Sequence, residues 1–187
     1  MSMQGIIVMF GLIGLISAMG VAAGEDIDMG SATISLDLGS VGSHEVTKGE
    51  SYSMDHKKIR FEYDVASASV NVEGVSDQVQ LEVHRMSTSE PLQDAISERD
   101  PASGLEHCLM KSDMVPIGQD LQTEPYTIDG QDGILATINS DPENPFYIAA
   151  YSPDQNEGSG SIVCIIGSHL PWEITKGIFA SIKTNVT

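Results

Sequence analysis

Five carboxylates, Asp129, Asp132, Asp141, Glu143 and Asp154, stand in neighbouring turn segments of the C-terminal half. Hard-oxygen donors of this kind hold calcium when about six or more converge. Asp129, Asp132 and Asp154 are the calcium candidates, gathered by loops at one edge of a sheet. Aspartate is equally a favoured turn residue. The loop SPDQNEGSGS also departs from the EF-hand pattern. Counted from Asp154, its sixth position is Ser159 where a glycine is needed, and its twelfth is Ile165 where a bidentate acid is needed. The plainer reading of that loop is a connection between two strands.

His107, Cys108, Cys164 and His169 are a second donor set, two imidazoles and two thiols of the kind that bind zinc. The short Cys-x-x-Cys spacing is missing, and a strand would turn the adjacent His107 and Cys108 to opposite faces. In an exported chain an even cysteine count reads instead as a disulfide. A Cys108–Cys164 bridge would close a loop of roughly 55 residues, worth about 4 kcal/mol in chain entropy. Separate burial of two small apolar thiols is the alternative.

Nucleophile signatures are missing: no G-x-S-x-G, no phosphate-binding glycine loop, and HEVTK lacks the second histidine of a zinc-protease helix. His56 to Arg60, HKKIR, gathers basic residues in an acidic chain, as a docking point for an anionic partner or as a strand start neutralised by its neighbours. Trp172 offers a carbohydrate or peptide contact, or a large apolar anchor for the last helix. Asn185-Val186-Thr187 is a glycosylation sequon.

Strands must position these groups. Ala32, Ile34, Leu36 and Leu38 alternate with polar residues, as do Ile59, Phe61, Tyr63 and Val65, then Val70 and Val72, then Val79, Leu81 and Val83. The linkers are too short for crossover helices, so the strands run antiparallel. A short helix is expected from about Pro91 to Glu98, capped by Ser89 and ended before Pro101. LEHCLMK reads as a strand, and PYTIDGQDGILATIN as a hairpin turning at Asp129-Gly130 or Asp132-Gly133. FYIAAY and SIVCIIG are apolar on both faces and belong at the sheet's centre. Trp172, Thr175, Ile178, Phe179 and Ile182 follow at helical spacing.

The first residues and the charge set the compartment. From Gly5 to Gly24 there is no charged residue, and Val21-Ala22-Ala23 precedes the polar Gly24-Glu25-Asp26. Residues 1–23 read as a signal peptide cut after Ala23, or as an uncleaved anchor, since MSMQ carries no basic residue and the apolar run is long. The chain holds 27 acidic and 9 basic residues, a formal charge of -18. Such a surface repels phosphate backbones and excludes nucleic acid as a partner.

SLDLGSVGSHEV, SGLEHCLMKSDM, GILATI, SIVCIIGSHLPWE and IFASIK together resemble uncharacterised exported proteins of methanogenic archaea. That resemblance implies export and carries over no catalytic residue. The C-terminal part, a sheet hairpin followed by a helix ending in SIK, is similar to the end of PsbP-like domains, which are α+β and mostly assist assemblies without catalysis.

The expectation is a single exported α+β domain over residues 24–187: a mainly antiparallel sheet with two short helices, one of them C-terminal. Its expected role is non-catalytic, in binding or in the cell envelope, with an unknown protein or cell-surface partner and no cofactor. The membrane is involved only if the leader stays. A secreted hydrolase built from scattered loops and a calcium-dependent adhesion module are the alternatives.

Overall fold

The computed structural model describes residues 24–39, 41–56, 61–88, 101–119, 121–139, 145–153 and 160–187. The leader, residues 57–60 of the basic stretch and the expected Pro91–Glu98 helix lie outside the described residues. So do Asp141, Glu143 and Asp154.

Eleven strands and two helices are described. In chain order they are β1 (Glu25–Asp28), β2 (Ala32–Leu36), β3 (His44–Lys48), β4 (Tyr52–His56), β5 (Phe61–Val72), β6 (Val75–Thr88), α1 (Pro101–Leu109), β7 (Thr123–Ile128), β8 (Gln131–Ile138), β9 (Phe146–Tyr151), β10 (Gly160–Ser168), α2 (Trp172–Ser181) and β11 (Lys183–Val186). Every pairing is antiparallel. An eight-stranded sheet runs β3-β5-β6-β10-β9-β8-β7, with β4 continuing the edge that β3 begins along β5, and a small sheet runs β1-β2-β11. The architecture is α+β with a mainly antiparallel sheet, as the alternating pattern implies.

The large sheet is the middle layer. Ala32, Ile34 and Leu36 of β2 pack with Val70, Leu81, Val83, Leu135, Cys164 and Ile166 on one of its faces, and α2 adds Ile178 and Phe179 there. On the other face Leu105, Cys108 and Leu109 of α1 pack with Ile134, Ile148, Val163 and Ile165. β10 thus buries alternate residues in two cores, which is why SIVCIIG is apolar without a period. It pairs β6 on one side and β9 on the other, the central place its composition predicts.

Two elements correct the sequence reading. LEHCL is helical: Leu105, Cys108 and Leu109, spaced i, i+3 and i+4, are buried while Glu106 and His107 are exposed. Pro101 begins this helix, the position where its missing N–H costs nothing. The last helix stops at Ser181, and the chain ends in β11, whose Lys183–Val186 pair with Ala32–Ser35 of β2. Within α2, Thr175, Ile178 and Phe179 face the core, as their spacing requires.

The β7–β8 hairpin turns at the first of its two Asp-Gly candidates. Asp129 and Gly130 both have positive φ, 53° and 74°. That is the geometry of a two-residue turn matched to strand twist, which aspartate tolerates and glycine adopts freely. A second glycine is required by space. A Cβ on Gly167 would fall 2.2 Å from Cζ of Phe146 and 2.9 Å from Sδ of Met114. Gly167→Ala is therefore expected to cost about 1–3 kcal/mol through overpacking, measured by urea denaturation. A loss below about 0.5 kcal/mol would mean that the Phe146 ring has room to move.

Candidate functional site

The face of the large sheet that α1 covers is apolar over β8, β9 and β10 and changes character over β5 and β6. On β5, Ser67, Ser69 and Asn71 alternate with Ala68, Val70 and Val72, which enter the opposite core. On β6, Gln80, Glu82 and His84 alternate in the same way with Val79, Leu81 and Val83. Strand pairing sets Thr47, Ser69, Gln80 and Gly167 in one row across four strands. Thr47 is exposed, and Ser67, Ser69, Asn71 and Gln80 are half-buried. The row itself is built from hydroxyls and an amide, and the exposed Glu45 stands beside it on the same face, opposite Asn71.

The row ends at a bulge. Val72 pairs Val75 and Val70 pairs Val79, so Asn71 alone opposes Ser76, Asp77 and Gln78. Bulges bend a strand and re-aim the side chains at the break. Asp77 takes a left-handed φ of 57°, and its backbone N–H donates to Asn71 Oδ1 at 3.1 Å. The Gln80 amide donates to the Asp77 carbonyl at 3.3 Å. Beside the bulge the backbone N–H of His169 donates to the Gln78 carbonyl at 2.9 Å. Ser76, Asp77, Gln78 and His169 together line an open, solvent-facing cavity of about 320 Å³, with Ser76, Asp77 and His169 exposed.

The His169 ring stacks on Phe146, with centroids 4.2 Å apart and planes at 23°. Gly167 leaves the space that ring occupies. Burial lowers the His169 pKa below its ordinary value near 6.5, and the nearby Asp77 carboxylate opposes that shift. The imidazole is therefore neutral at pH 7, able to donate from one nitrogen and accept at the other.

At the inner end of the face lies a buried pair. His84 Nε2 is 2.6 Å from Glu82 Oε2, and both side chains are almost wholly withdrawn from solvent, at 0% and 5% exposure. The other carboxylate oxygen accepts the backbone N–H of Asp113 at 3.1 Å. Ser67 of β5 and Ile165 of β10 flank Glu82, and Val65 and Val163 flank His84. The reading of QLEVHR as inward Leu and Val with outward Glu and His missed this pair. Its signal, Glu and His two apart on a strand, is shared by many solvated strands, and burial here comes from segments distant in the chain, Asp113 among them.

Among the described residues the sequence candidates are dispersed. Asp129 sits at its hairpin turn with Oδ1 accepting from Lys183 Nζ at 2.9 Å and Oδ2 from the Thr184 N–H at 2.7 Å. It ties the large sheet to the small one. Asp132 lies on β8, exposed and opposite Thr127. Among the described residues no three His, Cys, Asp or Glu side chains are grouped to hold a metal ion. The zinc set is split: His107 is exposed on α1, Cys164 lies in the core on the far side of the sheet from Cys108, and His169 stacks on Phe146.

The expected Cys108–Cys164 bridge is likewise corrected. The two cysteines are buried and not bridged, because α1 carries Cys108 on one face of β10 while Cys164 points to the other. Burial pushes the Cys108 thiol from near 9 up to about 11. A raised acid keeps its proton in the folded state, so stability is intact below pH 9 and falls as pH climbs through the window to about 11. The loss is expected to reach about 1–3 kcal/mol and to shrink by that amount in Cys108→Ala, read from urea midpoints at pH 8 and pH 11. Equal losses in both proteins would detach the effect from this thiol.

Trp172 is half-buried and touches two tyrosines, with centroids 5.0 Å from Tyr147 and 6.4 Å from Tyr126. Tyr126 in turn meets Phe179 edge-on at 6.2 Å. These contacts fit the anchoring role. Asn185 is exposed on β11, and the Thr187 hydroxyl of its sequon donates to the Gly30 carbonyl at 2.8 Å.

Compared with known proteins, the chain matches no family model, no curated sequence and no solved structure.

Proposed function

We propose that this chain is an exported, non-catalytic binding protein of the cell envelope, and that its partner is received on the polar face of β3, β5 and β6. One observation carries the reading: Thr47, Ser69, Asn71 and Gln80 present hydroxyls and amides side by side on a rigid sheet, beside a cavity. Pre-positioned groups of this kind bind with little loss of conformational freedom. The uncharged run from Gly5 to Gly24 supports export, and the charge of -18 supports a partner other than nucleic acid.

Co-sedimentation with isolated cell envelopes tests it. The purified protein is expected to pellet with envelopes, and Ser69→Arg, which plants a bulky charge in the middle of the row, is expected to stay in the supernatant. Failure of the unaltered protein to pellet, or undiminished pelleting of the variant, would remove the reading. A hydrolase has one point in its favour, since Ser76 and His169 line the same cavity. Labelling of Ser76 by a fluorophosphonate, lost in Ser76→Ala, would establish that alternative.

A further inference from the structure

We infer that the ligand received on this face is a carbohydrate, with one sugar ring seated in the corner cavity between Asp77 and His169 and the rest of the glycan lying along the hydroxyl and amide row. The inference rests on the binding reading above and gives it a ligand class.

The argument begins with the chemistry a sugar presents. Its ring carries hydroxyls that both donate and accept, and its C–H faces are weakly apolar. A site for it needs mixed donors and acceptors in fixed positions and a flat ring nearby. Asp77 supplies an acceptor-only carboxylate, Gln78 an amide with both roles, Ser76 a hydroxyl and His169 a neutral imidazole with one donor and one acceptor. The flat ring is the imidazole itself, held by its stack on Phe146.

Size and fixation agree. The open cavity of about 320 Å³ has room for a single ring and leaves the ring's outer side to solvent, from which a longer chain can continue. Asp77 is not a loop residue free to turn: Asn71 holds its N–H, Gln80 holds its carbonyl, and its backbone is in the left-handed region. Non-glycine residues held there by their surroundings cluster at ligand clamps and active sites.

Charge narrows the class. With His169 neutral, Asp77 leaves the cavity acidic at pH 7, and a phosphate or carboxylate ligand would be repelled by it and by the whole chain. A neutral polyol is favoured over either. Beyond the cavity, Gln80, Ser69 and Thr47 continue across the strands in register. Adjacent strands are about 4.8 Å apart, close to the length of one sugar residue, so a chain of sugars crossing the strands would meet a new polar side chain with each ring.

Two arms test the inference. In the first, the purified protein is titrated with methyl glycosides of glucose, galactose, mannose and N-acetylglucosamine, followed by saturation-transfer NMR. At least one is expected to bind, and Asp77→Asn is expected to weaken it ~10-fold, the loss of about one charge-assisted hydrogen bond. Asparagine tolerates the left-handed backbone, so this variant keeps the fold. Gln78→Ala, at a half-buried cavity residue whose backbone bond is untouched, is the second variant and is expected to weaken binding by a similar factor. In the second arm, envelopes are oxidised with periodate, which cleaves vicinal diols, and pelleting is repeated; it is expected to be lost.

Binding of none of the glycosides, together with pelleting that survives periodate, would overturn the carbohydrate inference and leave a binding protein with another ligand. Glycoside affinity unchanged in both variants would overturn the placement in this cavity. Absence of pelleting on untreated envelopes bears on the binding reading alone, because the glycoside titration does not depend on it.

Discussion

Glu82→Ala is expected to lower the unfolding free energy by about 3–5 kcal/mol, the loss typical of removing one partner from a buried pair. The carboxylate does two things at once. One oxygen is 2.6 Å from His84 Nε2, and the other accepts the Asp113 N–H. Its removal takes the carboxylate away from a buried imidazole and leaves the Asp113 N–H without that acceptor. Replacing both partners, Glu82→Leu with His84→Leu, is expected to recover most of that loss, because an apolar pair of similar size removes both buried ionisable groups together. Urea denaturation of the two single variants and the double variant measures the coupling directly. If Glu82→Ala falls within about 1 kcal/mol of the unaltered protein, the pair is not buried as described.

Phe179→Ala comes next in expected size, at about 3–5 kcal/mol. The ring is fully buried on α2, where it fills the core between the large sheet, β2 and the β7–β8 hairpin. Two residues of the hairpin depend on it: Tyr126 meets its edge, and Ile128 lies in the same cluster. Trp172, on the same helix, is a control. It is half-buried, so Trp172→Ala removes less area from the core and is expected to cost less, about 1–3 kcal/mol. If the tryptophan proved the more costly of the two, the aromatic group at the surface, and not the core under α2, would be what fastens the helix. Neither change is expected to alter envelope pelleting in the protein that remains folded, since both residues lie on the far side of the sheet from the polar row.

The strands with one buried face were legible because a period of two is visible in a single segment. Ala32, Ile34 and Leu36, or Val79, Leu81 and Val83, announce their inward side without help from any other part of the chain. β9 and β10 were legible for a different reason: a run apolar on both sides has few places to go except the middle of a sheet. The β7–β8 turn was narrowed to Asp129-Gly130 or Asp132-Gly133 by the backbone those residues permit, and only the positive φ of Asp129 and Gly130 decides between them. α1 was misread because Leu105, Cys108 and Leu109 fit a helix, while Leu105, His107 and Leu109 fit a strand nearly as well, and Pro101 serves a stop or a start.

The polar face is a harder case. Ser67, Ser69, Gln80 and Glu82 appear in the sequence only as the outward residues of two strands. Whether they stay in water depends on what arrives from far along the chain. Gln80 meets Gly167 and Glu82 meets Ile165 across the β6–β10 pairing, and residues 112–115 then seal the Glu82 end. No local pattern encodes which polar residues of a strand will be covered, so the same alternation that revealed the sheet concealed the pair inside it. The cysteines illustrate the converse. Their number suggested a bond, but β10 separates the two sulfurs as a wall.

The small sheet has a mechanical consequence. Its middle strand β2 is flanked by β1, where the described chain begins, and by β11, where it ends. A tether before residue 24 and a pull applied after Thr187 would both load the hydrogen bonds of β2. Glu25 pairs the Leu36 end of β2 and Val186 the Ala32 end, so the load is a shear along β2, shared with the eight-stranded layer through the bonds from Asp129 to Lys183 and Thr184.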